Sequence, residues 1–402
     1  MTPLARPIAT GSLAAGFAFA AACRAPPHPR PPALSSPAAD GVASAQQPTI
    51  AESLLALERM GDASIRHHAE LLATVDLAVT RYRASTPEPA SSESEGQRAT
   101  RFFRTVDRAL VDRGYLFPPT GLVELLHQAL EPRTLTRADL ERALKHLENR
   151  RRAETLARFH GAGSTLHVVD CDVAGVFYLA AAERLGFPVV LVCVPNHMFV
   201  RWSSPTIRRN WDPNLGAAFD DAHYVTECGV TEDGRMLLGW LADMPRTRVF
   251  STWHRNIAHW HERHRRHDEA LAAHRAAVAA DPTDLEAANA LGWFLATCPD
   301  PGHRDAAEAR AIASRLVALA PRSAWIDTLA AAQAELGDFA AAIETKRNSP
   351  RVGAAVVGDL HLDDAEGDSD DAVRAYARGL TYAEGIARGV IYEPKNALPY
   401  DD

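Results

Sequence analysis

Three things are scarce in this 402-residue chain. Beyond its first 22 residues no stretch is both long and apolar enough to cross a bilayer, which excludes membrane-spanning helices from the rest of the sequence. There is no basic excess: 43 Lys and Arg stand against 51 Asp and Glu, for a formal net charge of −8. That removes the electrostatic footprint of a nucleic-acid binder, and Arg150-Arg151-Arg152 reads as the solvated face of a helix. Cysteine is also sparse. Cys23, Cys171, Cys193, Cys228 and Cys298 follow no repeating spacing, so they do not form a disulfide framework.

The amino terminus carries Arg6, a run of mostly Ala, Leu and Phe, and then Ala20-Ala21-Ala22-Cys23. This is the pattern of a secretion signal. The small residues before Cys23 resemble a lipobox, which implies cleavage and lipidation at Cys23. Competing readings are a plain signal cut at Ala-x-Ala and a mistaken start codon that leaves a cytoplasmic chain. Residues 24–49, rich in Pro, Ala and Ser, form a tether that cannot build a core. If Cys23 is acylated, four unpaired thiols remain in an exported protein, where oxidation threatens them.

The remaining chain of about 350 residues is long enough for two domains with cores of their own. Leu54, Leu57, Met60, Ile65, Leu72 and Val75 recur at helical spacing. A polar link over 84–97 follows, then helices through Phe102, Val106 and Leu110 and through Leu140, Leu144 and Leu147.

Residues 170–202 concentrate the chemistry. Cys171 opens a helix whose Val173, Ala174, Phe177, Tyr178, Ala181 and Leu185 give one apolar face. Gly186 and Pro188 end it. Residues 189–194 form an apolar strand, Pro195-Asn196 turns the chain, and His197, Phe199 and Arg201 share a face of the next strand. Shorter strands are expected at 207–211 and 224–227, giving an antiparallel sheet with helices to one side. A thiol at a helix N-terminus, opposite an imidazole from a strand, gains a lowered pKa and a proton acceptor. Such a site also needs a group that fixes the imidazole tautomer. Asp212 supplies it, with Asn210 as the substitute. The aspartates flanking the cysteine, Asp170 and Asp172, act in the opposite direction.

Cys171, Tyr178, Leu185-Gly186, Pro188, Pro195 and His197-x-Phe-x-Arg together resemble the core of bacterial transglutaminase-like proteins that carry C-terminal tetratricopeptide repeats. The family often has Gly where Asn196 stands. The resemblance implies a papain-like fold and a triad in which Cys171 is the nucleophile, His197 the base and Asp212 the orienting acid. Its oxyanion donors are expected to be backbone N–H groups at the start of the Cys171 helix. The tail from Ser251 resembles the repeats themselves: Ala270, Ala277 and Pro282, then Leu291-Gly292, Ala309 and Pro321, then Ala330, Gly337, Phe339 and Ala342. Pro282 and Pro321 stand 39 positions apart, about five more than a standard 34-residue unit, and a loop over 298–304 takes up the excess.

The histidine run from His254 to His267 contains His261-Glu262 and His264, one residue short of H-E-x-x-H. No metal and no cofactor are assigned on that basis.

The expected fold class is therefore α+β. It comprises a signal peptide over 1–23, a linker over 24–49 and a transglutaminase-like, papain-type domain over 50–250. Tetratricopeptide repeats follow over 251–350, and an extension over 351–402. The expected function is hydrolysis or acyl transfer at peptide or amide bonds through Cys171, His197 and Asp212. The alternative is an inactive scaffold that binds protein or peptide partners through the repeats. The expected location is exported and lipid-anchored, facing the periplasm, with no nucleic-acid partner. Rapid alkylation of Cys171 at neutral pH, with Cys193 unreactive, is the expected signature.

Overall fold

The computed structural model describes residues 48–58, 63–85, 93–116, 125–134, 165–349 and 365–391. All belong to one compact unit spanning 47–402, which holds the expected catalytic and repeat regions together. The signal segment, Cys23 and the helix expected through Leu140, Leu144 and Leu147 lie outside the described residues.

The lead-in is helical, as its periodicity predicts. α1 (Ile50–Glu58) is capped reciprocally by Thr49 and Glu52. α2 (Ala63–Ala84) buries Leu71, Val75, Ala78, Val79 and Tyr82 along one stripe. α3 (Glu95–Asp112) starts inside the polar link, because Ser94 and Gln97 form a capping box there. It buries Phe102, Phe103, Val106 and Leu110. β1 (Tyr115–Leu116), α4 (Leu126–Leu130), β2 (Arg133–Thr134) and β3 (Thr165–Val168) follow. The three strands make a small sheet in the order β1-β3-β2, with β1 parallel and β2 antiparallel to β3.

α5 (Cys171–Leu185) is the axis of the molecule. Every residue from Val173 to Ala182 is buried, so the single apolar face expected from sequence is in fact a helix enclosed all round. α1, α2 and α3 pack on one side of it and a sheet on the other. Gly175 lets α5 approach that sheet: a Cβ there would stand 2.4 Å from Cδ2 of Leu191. Gly186 ends the helix at φ 68°, a left-handed conformation that costs glycine nothing.

The sheet is the antiparallel meander β4 (Val189–Val194), β5 (His197–Ser203) and β6 (Arg208–Trp211). Val194 pairs with His197 across the tight Pro195-Asn196 turn, where Asn196 sits at φ 54°. That is the left-handed conformation Asn tolerates, and Gly is the other residue that serves there. Alternation along β5 sends Met198, Val200 and Trp202 into the core shared with α5. Phe199 goes to the other face, against Tyr224, Val230 and Leu241.

The face of the sheet away from α5 is covered as well, by Tyr224 and by the loop residues Val230 and Leu241. Residues 224–227 are not a strand: they end α6 (Asp221–Glu227), because Asp220 accepts the His223 N–H and caps a helix.

α7 (Glu232–Leu238) leads to α8 (Arg246–Arg263) and α9 (His267–Ala280), the first of a series of packed helix pairs. α10 (Leu285–Thr297) with α11 (Ala306–Leu319), and α12 (Ser323–Glu335) with α13 (Phe339–Arg347), continue it. Buried alanines at 270, 277, 309, 313, 330, 334 and 342 allow the close approach. α8 also belongs to the first core, since the Trp253 indole N–H donates to buried Glu58 at 2.9 Å. Glu58 in turn accepts the N–H groups of Leu126 and His127, at 2.8 Å each, in place of a cap for α4. The extension over 351–402 holds two helices among the described residues, α14 (Ala365–Ala377) and α15 (Tyr382–Ala387), with Gly379 at φ 67° making the break between them. Among the described residues no helix is long and apolar enough to cross a membrane.

Candidate functional site

Cys171 is the first residue of α5 and is partly buried. Its sulfur faces the backbone N–H of Met198, the residue after His197. The helix start and the beginning of β5 therefore meet, as a cysteine–histidine site requires. His197 follows a tight turn at the end of its strand and keeps about 19% of its side chain exposed. Its Nε2 lies 2.7 Å from Oδ2 of Asp212, whose side chain is only 3% exposed. Asp212 is itself fixed by its turn, with Oδ1 accepting the Leu215 N–H at 3.0 Å and its own N–H donating to Ala217 at 2.8 Å. A carboxylate on Nε2 selects the tautomer protonated there, which leaves Nδ1 to exchange a proton. Among the described residues no hydrogen bond joins the Cys171 thiol to the ring.

The electrostatics of the two partners differ. Burial lowers the pKa of His197, but the Asp212 hydrogen bond and charge, with the Asp170 charge, outweigh it, and the imidazolium is favoured. Cys171 goes the other way. Burial first, then the charges of Asp170 and Asp172, push its thiol well above the ordinary range, and the Met198 amide only partly opposes this. A lowered thiol pKa was the expectation from helix position; desolvation and two carboxyl neighbours overturn it.

The same carboxyls occupy the helix start. Asp170 accepts the Cys171 N–H at 2.6 Å and Asp172 accepts the Val173 N–H at 2.7 Å. The backbone donors expected to form an oxyanion hole are thus already engaged in this conformation.

Asn210 is not at the imidazole. It receives a hydrogen bond from Nε of Arg201 at 2.7 Å and donates to Asp221 at 2.8 Å. The fully buried Arg201 also donates to the Leu241 carbonyl at 2.8 Å and to Asp243 at 3.0 Å. Asn210 and Arg201 are cross-strand partners in a structural network, two residues short of the site. Asp212, and not Asn210, is the side chain at the imidazole.

Two neighbours carried no sequence signal. Tyr224 stacks on Phe199, with centroids 3.9 Å apart, and lies 6.1 Å from the His197 ring. Its buried hydroxyl faces Asp212, and burial followed by the Asp212 charge raises its pKa. Asn256 on α8 donates to Oδ2 of Asp172 at 2.7 Å.

No family model, curated protein or solved structure matches this chain.

Proposed function

We propose that this is a transglutaminase-like, papain-type cysteine enzyme that hydrolyses or transfers acyl groups of peptide or amide substrates. The observation that carries the reading is the part-buried His197–Asp212 pair, 2.7 Å apart and one residue from the amide that meets Cys171. Buried titratable pairs cost stability and concentrate at working sites.

In this reading Nδ1 of His197 takes the thiol proton while Asp212 holds Nε2 and stabilises the imidazolium. The thiolate adds to the substrate carbonyl. The C–N bond then breaks as the imidazolium returns its proton to the leaving amine, and a thioester remains on Cys171. Water yields hydrolysis and a second amine yields transfer, with His197 again the base. Because the resting thiol is held neutral, substrate binding has to displace the carboxyls of Asp170 and Asp172 from the helix start.

A second reading, a scaffold without catalysis, is favoured by those same two carboxyls. In both readings the helix pairs from Arg246 to Arg347 are tetratricopeptide-like and dock a protein or peptide. The chain is exported and lipid-anchored through Cys23.

Acyl trapping separates the two. The full chain is incubated with an activated acyl ester and digested for mass spectrometry. The enzymatic reading expects one adduct, on Cys171, lost in His197→Ala. No adduct, or equal adducts on Cys171, Cys193 and Cys228, selects the scaffold.

A further inference from the structure

The histidine-rich end of α8 builds a constellation that the Cys171 site does not use. His259 and Glu262 stand three residues apart on one face of α8, and α9 brings His274 against them. Nε2 of His274 lies 2.6 Å from Oε1 of Glu262, and Nδ1 of His259 lies 3.3 Å from the same oxygen. The three ligand-capable atoms fall within 4.8 Å of one another. The near-motif His261-Glu262-x-His264 points at other imidazoles, and the third ligand comes from a separate helix. Spacing within one segment does not show it.

We propose that His259, Glu262 and His274 bind one divalent transition-metal ion of the zinc class, with solvent in the remaining position. Two imidazoles and a carboxylate are a recurring zinc donor set, and an exposed edge is what an open fourth position needs. That edge is at His259, whose side chain is 52% exposed, whereas His274 is almost completely enclosed. Tetrahedral ligation at about 2.0–2.2 Å sets neighbouring donors about 3.3–3.6 Å apart, so Nε2 of His274 and Oε1 of Glu262, now 2.6 Å apart, separate to admit the ion.

Arg255, also on α8, places an opposing positive charge near His274 and weakens the site without removing a ligand. Such an ion would cross-link α8 to α9 within two turns of Asn256, the residue that holds Asp172.

Zn²⁺ alone is titrated into the full chain against a chromophoric chelator, with Co²⁺ absorption as a second readout. Wild type is expected to take up one tight equivalent. His259→Ala and Glu262→Gln should each weaken it by more than about tenfold, while His261→Ala leaves it unchanged. His259 is half exposed, so its replacement does not endanger the fold. Co²⁺ should give a four-coordinate visible spectrum without thiolate charge transfer, which distinguishes the site from the cysteines. Equal affinity in wild type and His259→Ala, or no tight equivalent in wild type, overturns the proposal and leaves a hydrogen-bonded staple between two helices.

Discussion

The Asn256 side-chain amide donates to Oδ2 of Asp172 at 2.7 Å, joining α8 to the residue that follows Cys171. Burial, then the Asp170 charge, pushes the Asp172 carboxyl up to about 7, against the pull of the Val173 N–H and Asn256. A folded pKa above the unfolded value means the folded chain keeps a proton that the unfolded chain has lost. The corresponding stability is complete below about pH 4 and is lost as pH rises to about 7. Wild-type stability should fall across that window. Asn256→Ala should cost about 1–3 kcal/mol, and more at pH 8, where the carboxylate is charged, than at pH 5. Urea unfolding at both pH values checks this; an equal cost at both would contradict it.

Asp170 caps α5 and, after burial, is the largest influence raising the Cys171 thiol. Asn is an equally good cap without the charge. Asp170→Asn should therefore keep the fold and speed alkylation of Cys171 at pH 8, by about tenfold for each unit the thiol pKa falls. Labelling of Cys193, in the strand interior, should not change. Mass spectrometry of timed reactions reads both sites together, and an unaltered Cys171 rate would remove Asp170 from the account.

Arg201 is fully buried between Asn210, Asp221, Asp243 and the Leu241 carbonyl. Arg201→Ala leaves these groups facing a cavity. Asp221 is half exposed and can turn to water, so the expected loss is near the lower end for a broken buried pair, about 3 kcal/mol. Arg201→Lys should recover only part of it, because an ammonium cannot reproduce the planar fork. Chemical denaturation of both variants tests the order, and wild-type stability in Arg201→Ala would refute it.

Local chemistry made much of this architecture legible in the sequence. The cysteine helix, its Gly186 end, the Pro195-Asn196 turn and the strands beginning at 189, 197 and 208 each follow from residues adjacent in sequence. So does the pairing of His197 with Asp212, because the sheet register links two consecutive strands. What was not legible depends on distant contacts. Asp220 made a helix of the 224–227 segment. Arg201 drew Asn210 away from the imidazole through Asp221 and Asp243. The direction of the Cys171 pKa depended on burial and on Asp172, which is held by a residue 84 positions away.

Whether His197 acts on Cys171 is measured most directly by alkylation of Cys171 as a function of pH in wild type and His197→Ala. Wild type should show a step in rate as His197 loses its proton, above the usual histidine range because of Asp212 and Asp170. His197→Ala should lack that step and react only at high pH, where the raised thiol ionises unaided. Superimposable profiles would contradict the claim and leave Cys171 a packed thiol beside an unrelated histidine.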